Sequence, residues 1–392
     1  MDKKVIIIIV VVLFFVLKKI RKIIGPLLLA LIFLFLFNNI KDIKSFFQTP
    51  KEEESTYTFL ALKNSNINTK ENLKNKKIGY IESFMPIEND EYVLKSYNAN
   101  NIYDVLLKKE VDAIYISDSY LSILKEEYKD ILEQTKIVEE EKVESVISIK
   151  ESKNSNVINI FISGTDSKKE KITSKSRSDV NIILTINKKE NKVLITSIPR
   201  DYYVELFEIK KDKLTHCGVY GVTVCTEALS KLLDIEINYF LKINMNAFTK
   251  VIDLLNGITL KDGTKLTSEE ALKYVRERYS YKEGDRKRVE NNQDILEEII
   301  KSFTSNKSLL LKYKDILESL NGYYMTNIDE NLIVEVIKNL LLGKSLKIER
   351  QTLKGFDSYD TTYSIPNRKL YVMLPDYKSL EFAREKLKNM LP

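Results

Sequence analysis

Four arginines, Arg276, Arg278, Arg286 and Arg288, crowd into one short stretch of a 392-residue chain that has only ten arginines among its 62 basic residues. Lysine supplies plain positive charge almost everywhere else, so a guanidinium is being asked for here. Its planar fork of donors and permanent charge suit a phosphate or a carboxylate. A second grouping lies upstream. An apolar strand over 157–163 runs into Gly164, Thr165 and Asp166; a lysine- and serine-rich loop leads to Arg177, Asp179 and a strand over 180–186; a third strand ends at Pro199, Arg200 and Asp201. If these strands run up, down and up, one sheet edge collects Asp166, Arg177, Asp179, Arg200 and Asp201. Any one of them alone reads as a solvated loop charge. All five on one edge read as a site for an anion, with carboxylates beside it.

Other chemistries are excluded by what is scarce. One histidine, His216, and two cysteines rule out most zinc patterns, and no nucleophile motif accompanies His216. A net charge of +6 fits work near an anionic surface but is not the dense basic stripe of a nucleic-acid binder, so no nucleic acid is expected. Cys217 and Cys225, eight apart, can close a disulfide, although the second one sits where a helix over 225–235 is predicted to open.

The elements that must hold these residues follow from periodicity. A strand over 239–244 leads into a helix over 246–258 that closes near Gly257. Thr267 and Glu270 form a capping-box pattern that starts a helix carrying Arg276 and Arg278. Gly284 and Asp285 break the chain, and a helix over 286–303 follows with its apolar stripe at Val289, Leu296, Ile299, Ile300 and Phe303. Arg288 and Asn292, four apart, flank that stripe and lean toward the domain; Arg286 points elsewhere. Residues 57–150 alternate strand and helix in a small α/β accessory domain whose frame resembles one lobe of an extracellular solute-binding protein.

The N-terminus is a different material. Apolar runs over 5–17 and 23–40 flank Lys18–Lys22, and no small-residue cleavage site follows either run. The positive-inside rule puts the basic turn in the cytoplasm. The expected organisation is a membrane anchor over 1–45, a stalk over 46–56, the accessory domain over 57–150 and a main domain over 151–392, with everything after the anchor outside the cell membrane.

The ordered stretches "SGTDS…RSDVNIILTINKKENKVLITSIPRD", "EINYFLKINMNAFTKVIDLLNGITL" and "ALKYVRERYSYKEGDRKR" resemble the LytR-CpsA-Psr family of cell-wall glycopolymer ligases, over about residues 155–392. The resemblance implies an α/β/α core with a central mixed sheet. It also implies a phosphotransferase that moves a glycopolymer from a polyprenyl-pyrophosphate carrier to peptidoglycan at the membrane. Carried over by position, Asp166 and Asp179 would hold magnesium or manganese. Arg177, Arg200, Arg276, Arg278 and Arg288, with Asn292, would bind the pyrophosphate. Asp285 matches the acid between the last two motifs, and Asp179 or Asp201 would take the acceptor's proton. One departure stands out: relatives usually read Arg-Gln-Gln where this chain has Asn291, Asn292 and Gln293, so one cation is missing. Two other readings remain open, a membrane-bound sensor that binds lipid-linked glycans without transfer and a polyprenyl-pyrophosphate hydrolase.

Overall fold

The computed structural model describes residues 52–81, 91–97, 101–146, 156–167, 171–173, 175–206, 210–277, 285–341 and 346–391. The expected anchor over 1–45 lies outside them, as does Arg278. Among the described residues no helix is long and apolar enough to cross a membrane. Thr49–Pro392 forms one compact unit.

The first sheet contains β1 (Glu52–Leu62), β2 (Lys77–Ile81), β3 (Val93–Tyr97), β4 (Ala113–Ser117) and β5 (Thr135–Val146), in the order β3-β2-β4-β1-β5. All five residues of β4, AIYIS, are buried. A short unbroken apolar run of this kind belongs in the middle of a sheet covered on both faces. The expected stalk is shorter than predicted, because Glu52–Thr56 already pair with residues 142–146 of β5. Directly after β4 comes helix Asp118–Glu127, whose N-cap Ser117 accepts a hydrogen bond from the Tyr120 amide.

The second sheet is mixed. It is built on β6 (Val157–Thr165), β7 (Val180–Asn187) and β8 (Lys192–Ile198), with β7 antiparallel to both of its neighbours, up, down and up as the sequence predicts. A hairpin of β9 (Tyr203–Leu206) and β10 (Lys210–Lys213) follows, then β11 (Tyr239–Asn244), parallel to β6. The short pair β12 (Ile258–Thr259) and β13 (Lys265–Leu266) stands apart. The edges are β14 (Tyr324–Thr326) beside β11 and β15 (Lys347–Thr352) beside β8, giving β14-β11-β6-β7-β8-β15; β16 (Gly355–Asp360) and β17 (Leu370–Pro375) make a final hairpin.

Alternation along these strands builds two cores. Val157 and Phe161 point to one face with Ile183 and Leu194, against Leu214, Leu229 and Leu380 of three covering helices. Ile158, Ile160 and Ile162 point to the other with Ile182 and Ile195, against Leu296 and Leu332. The result is the α/β/α layering expected. The first of these cores runs on without a break into Phe59 and Ile114 of the N-terminal sheet and Tyr120 of the helix that follows β4. Each fully buried side chain of this size contributes roughly 1.5–3 kcal/mol.

Two helix boundaries differ from the periodic reading. The helix expected over 225–235 starts earlier, at Val222, and is preceded by a separate helix, Leu214–Tyr220. Gly221 between them sits at φ 122°, and the reversal brings Cys217 and Cys225 into a disulfide with their Cα atoms 5.1 Å apart. The helix expected over 246–258 spans Met245–Leu254 and ends before Gly257, where φ is 92° and a Cβ would come within 2.8 Å of the Leu266 carbonyl.

Candidate active site

The site forms where β6 ends, β7 begins and β8 ends. The Asp179 amide donates to the Gly164 carbonyl at 2.8 Å, closing the mouth of the β6–β7 pair. A side chain at Gly164 would stand 2.9 Å from Val180 Cβ, so glycine allows that closure. The preceding loop is fastened from behind. Ser176 and Ser178 amides donate to the carbonyls of Gly218 and Thr215, and a Cβ on Gly218 would lie 2.2 Å from the Ser176 oxygen. Loop and helix therefore meet backbone to backbone, which fixes the direction in which Arg177 and Asp179 leave the chain.

Arg200 is the hub. Its Nη1 donates to Asp179 Oδ1 at 2.6 Å, and its side chain is only 13% exposed. Its Nε lies 3.7 Å from Asp201 Oδ2. The Asp166 amide faces Asp179 Oδ2 at 3.4 Å, so the two aspartates are neighbours. Arg276, at the last turn of helix Ser268–Arg276, reaches Asp166 Oδ2 at 3.1 Å. That helix opens with the predicted capping box, Thr267 and Glu270 bonding each other's backbone amides. Arg177 is packed closely enough that burial pushes its guanidinium below the usual arginine range, with Asp179 opposing the shift.

Arg288 is buried on helix Asp285–Ser305, and Asn292 stands one turn on, its side-chain Nδ2 donating to the Arg288 carbonyl at 2.8 Å. Both border a cavity of about 730 Å³ together with Asp166, Asp179, Arg200 and Arg276. Another part of its wall is apolar, made by Ile162 and Ile182 of the sheet, Phe248, Leu272 and Leu296. Sequence could not separate these groove residues from ordinary core, since both are apolar and periodic. The volume is within the usual range for ligand sites.

Other expected residues fall elsewhere. Asp201 stands between Arg200 Nε and Lys213 Nζ, 3.7 Å from each, and borders neither this cavity nor a second one that adjoins it. Arg286 faces outward and pairs with Asp357 at 2.9 Å, as its helix position predicts. Arg278 and the Asp285 side chain are outside the described residues. His216 is 2% exposed, with Nδ1 2.7 Å from Asp212 Oδ1, and borders neither cavity. Asn291, where a cation was expected from the resemblance, is fully buried and donates to the Tyr274 carbonyl at 2.9 Å, tying the two arginine-bearing helices together.

Sequence reasoning missed one member. Glu126, on helix Asp118–Glu127 of the N-terminal sheet, pairs with Arg177 and lies 3.5 Å from Arg200. It is an acid on an otherwise ordinary exposed helix face, and no local pattern marks it.

In chemical terms, the guanidinium groups of Arg200, Arg276 and Arg288 meet the carboxylates of Asp166 and Asp179 at this cavity, with Arg177 bordering a second cavity that also contains Arg200. The guanidinium forks suit the oxygens of a phosphate-bearing anion, and the apolar wall suits a hydrocarbon attached to it. Asp166 and Asp179 keep hard carboxylate oxygens side by side, the donor type that magnesium prefers. Among the described residues no group of three or more acidic, histidine or cysteine side chains gathers to hold a metal, so this pair of carboxylates would leave the remaining positions of an ion to other ligands.

The LytR_cpsA_psr family profile matches residues 120–377, so the match begins inside helix Asp118–Glu127, upstream of the predicted start near 155. The chain is 30% identical over 198 residues, 46% of its length, to the polyisoprenyl-teichoic acid–peptidoglycan teichoic acid transferase TagU of Bacillus cereus, and spans 64% of that relative. The corresponding protein of Bacillus licheniformis is 29% identical over 218 residues, 52% of this chain and 70% of the relative. Among solved structures, TagT bound to LIIa-WTA superposes with a TM-score of 0.50 at 25% identity, covering 61% of this chain and 94% of that one. Bacillus subtilis TagV does so with a TM-score of 0.50 at 26% identity, covering 61% and 98%.

Proposed function

This chain belongs to the LytR-CpsA-Psr family, and on that premise we propose that it is a membrane-anchored phosphotransferase acting outside the cell membrane. It moves a glycopolymer phosphate from a polyprenyl-pyrophosphate carrier to a peptidoglycan hydroxyl. The observation that carries this reading is the join between an arginine-lined mouth and an apolar cavity, which matches a pyrophosphate attached to a hydrocarbon chain.

The acceptor oxygen bonds to the glycan-bearing phosphorus. The bond from that phosphorus to the bridging oxygen breaks, and its electron pair departs with polyprenyl phosphate. Arg200, held by Asp179, and Arg276, held by Asp166, present donors to the phosphate oxygens, and Arg177 and Arg288 extend the clamp. Such preorganised charge is the main contribution a protein makes to phosphoryl transfer. Asp166 and Asp179 would hold a magnesium or manganese ion, which when bound neutralises charge developing on the leaving phosphate. Of the two carboxylates considered for the acceptor's proton, Asp179 borders both cavities and Asp201 neither, which favours Asp179.

The two apolar runs read in the sequence over 5–17 and 23–40 support this role, because a polyprenyl carrier stays in the bilayer. A single experiment addresses reaction and placement together. Protoplasts carrying the protein receive a soluble, membrane-impermeant peptidoglycan fragment in the medium. The fragment should acquire the glycopolymer through a phosphodiester, and should not in protoplasts lacking the protein. An unmodified fragment alongside free glycan phosphate in the medium would favour hydrolysis, and no turnover at all would favour a sensor.

A further inference from the structure

A second cavity, of about 610 Å³, adjoins the first. Thr165, Asp166, Asp179 and Arg200 border both, so the cavities meet at the phosphate clamp. Their characters differ. The first is walled by aliphatic and aromatic side chains, whereas the second is bordered by Ser119, Ser122 and Lys125 on one side and Thr173, Lys175 and Arg177 on the other. Hydroxyls, the Lys125 and Lys175 ammonium groups and the carboxylates of Glu126 and Glu140, which also border it, are groups that hydrogen-bond a polyhydroxylated ligand.

One wall belongs to helix Asp118–Glu127, and that helix is fixed to the phosphotransferase half. Ser119 Oγ donates to the Lys175 carbonyl at 2.5 Å, and Tyr120 donates to the Ser364 carbonyl at 2.9 Å. Glu127 pairs with Arg368, and Glu126 pairs with Arg177. The helix is therefore a built part of the cleft.

Displacement at phosphorus is in line, with entering and leaving oxygens on opposite sides. With the polyprenyl chain directed into the apolar cavity, the entering oxygen must come from the other side of the shared wall, which is the second cavity. We propose that this cavity is the acceptor subsite: it binds the peptidoglycan carbohydrate whose hydroxyl attacks, and residues 118–127 help select it. The assignment rests on the transfer reading above. The donor's own sugars share the same chemistry, and the geometry of displacement favours the acceptor over them.

The test fills the cavity. Ser122, half-buried on the helix, becomes tryptophan (Ser122→Trp), and Lys125→Trp, at an exposed position, repeats the test should the first variant not fold. A soluble peptidoglycan fragment and a disaccharide-bearing polyprenyl pyrophosphate are each titrated onto the full chain in detergent. The fragment's Kd should rise tenfold or more, while the donor's Kd moves less than twofold. An unchanged fragment Kd overturns the proposal. So does a weakened donor Kd with the fragment unaffected, since the cavity would then hold the donor's glycan. Wild-type protein that binds the fragment in this cavity yet transfers nothing would count against the transfer reading and leave the subsite standing.

Discussion

Replacing Arg200 by lysine should weaken donor binding by roughly ten- to a hundredfold, about 1.4–3 kcal/mol, while the circular dichroism spectrum stays that of the wild type. Charge is preserved in this variant; what disappears is the fork. Arg200 engages Asp179 at 2.6 Å through one terminal nitrogen and approaches Glu126 at 3.5 Å through the other, with Nε 3.7 Å from Asp201. A lysine ammonium is a single point on a flexible stem and cannot serve these directions together. Because Arg200 is only 13% exposed, its contacts are weakly screened by solvent, which places the expected loss above that of a surface pair. Titration of a short-chain polyprenyl pyrophosphate onto the two proteins measures it. An affinity within twofold of the wild type would mean that the guanidinium is structural and the anion sits elsewhere.

Asp179→Ala should do the opposite, sparing binding and removing turnover. Its carboxylate is the common partner of Arg200 and the Asp166 amide, and with Asp166 it forms the pair of hard oxygens available to a divalent ion. Deleting it removes a negative charge from beside the pyrophosphate, so donor affinity should hold or tighten. Transfer should fall by about a hundredfold or more, the scale seen when one preorganised electrostatic element of a transition state is lost. The wild-type rate should depend on added magnesium and collapse with EDTA, while the residual rate of the variant should respond to neither. Equal losses of binding and turnover would assign Asp179 to donor binding instead.

Much of this arrangement was legible in the sequence because it depends on strand ends. Apolar runs define β6, β7 and β8, the first two joined by a lysine- and serine-rich loop and the last two by a short turn, and their alternation of direction puts Asp166, Asp179 and Arg200 on one edge without any knowledge of packing. The capping box at Thr267 and the helical stripe at Val289, Leu296 and Ile299 likewise fixed the supports of Arg276 and Arg288. What could not be read were contacts made across long sequence separations. Glu126 approaches Arg177 and Arg200 only because two sheets pack together through a continuous apolar core, and nothing near Glu126 in the chain signals it. The apolar cavity was hidden for a related reason. Phe248 and Leu296 have the periodicity of core residues, and only the helices' three-dimensional spacing leaves room between them. Asp201 was grouped with the site by adjacency to Arg200, and it does stand beside that guanidinium at 3.7 Å, but it shares itself equally with Lys213, a partner that only the packed fold reveals.

The most direct measurement is a crystal structure of the protein with a short-chain polyprenyl pyrophosphate. The account predicts phosphate oxygens between Arg200 and Arg276, with Arg177 and Arg288 within reach, and the hydrocarbon chain lying against Ile162, Phe248 and Leu296. A pyrophosphate bound instead at an outward-facing arginine such as Arg286, or a chain lying outside the apolar cavity, would contradict it.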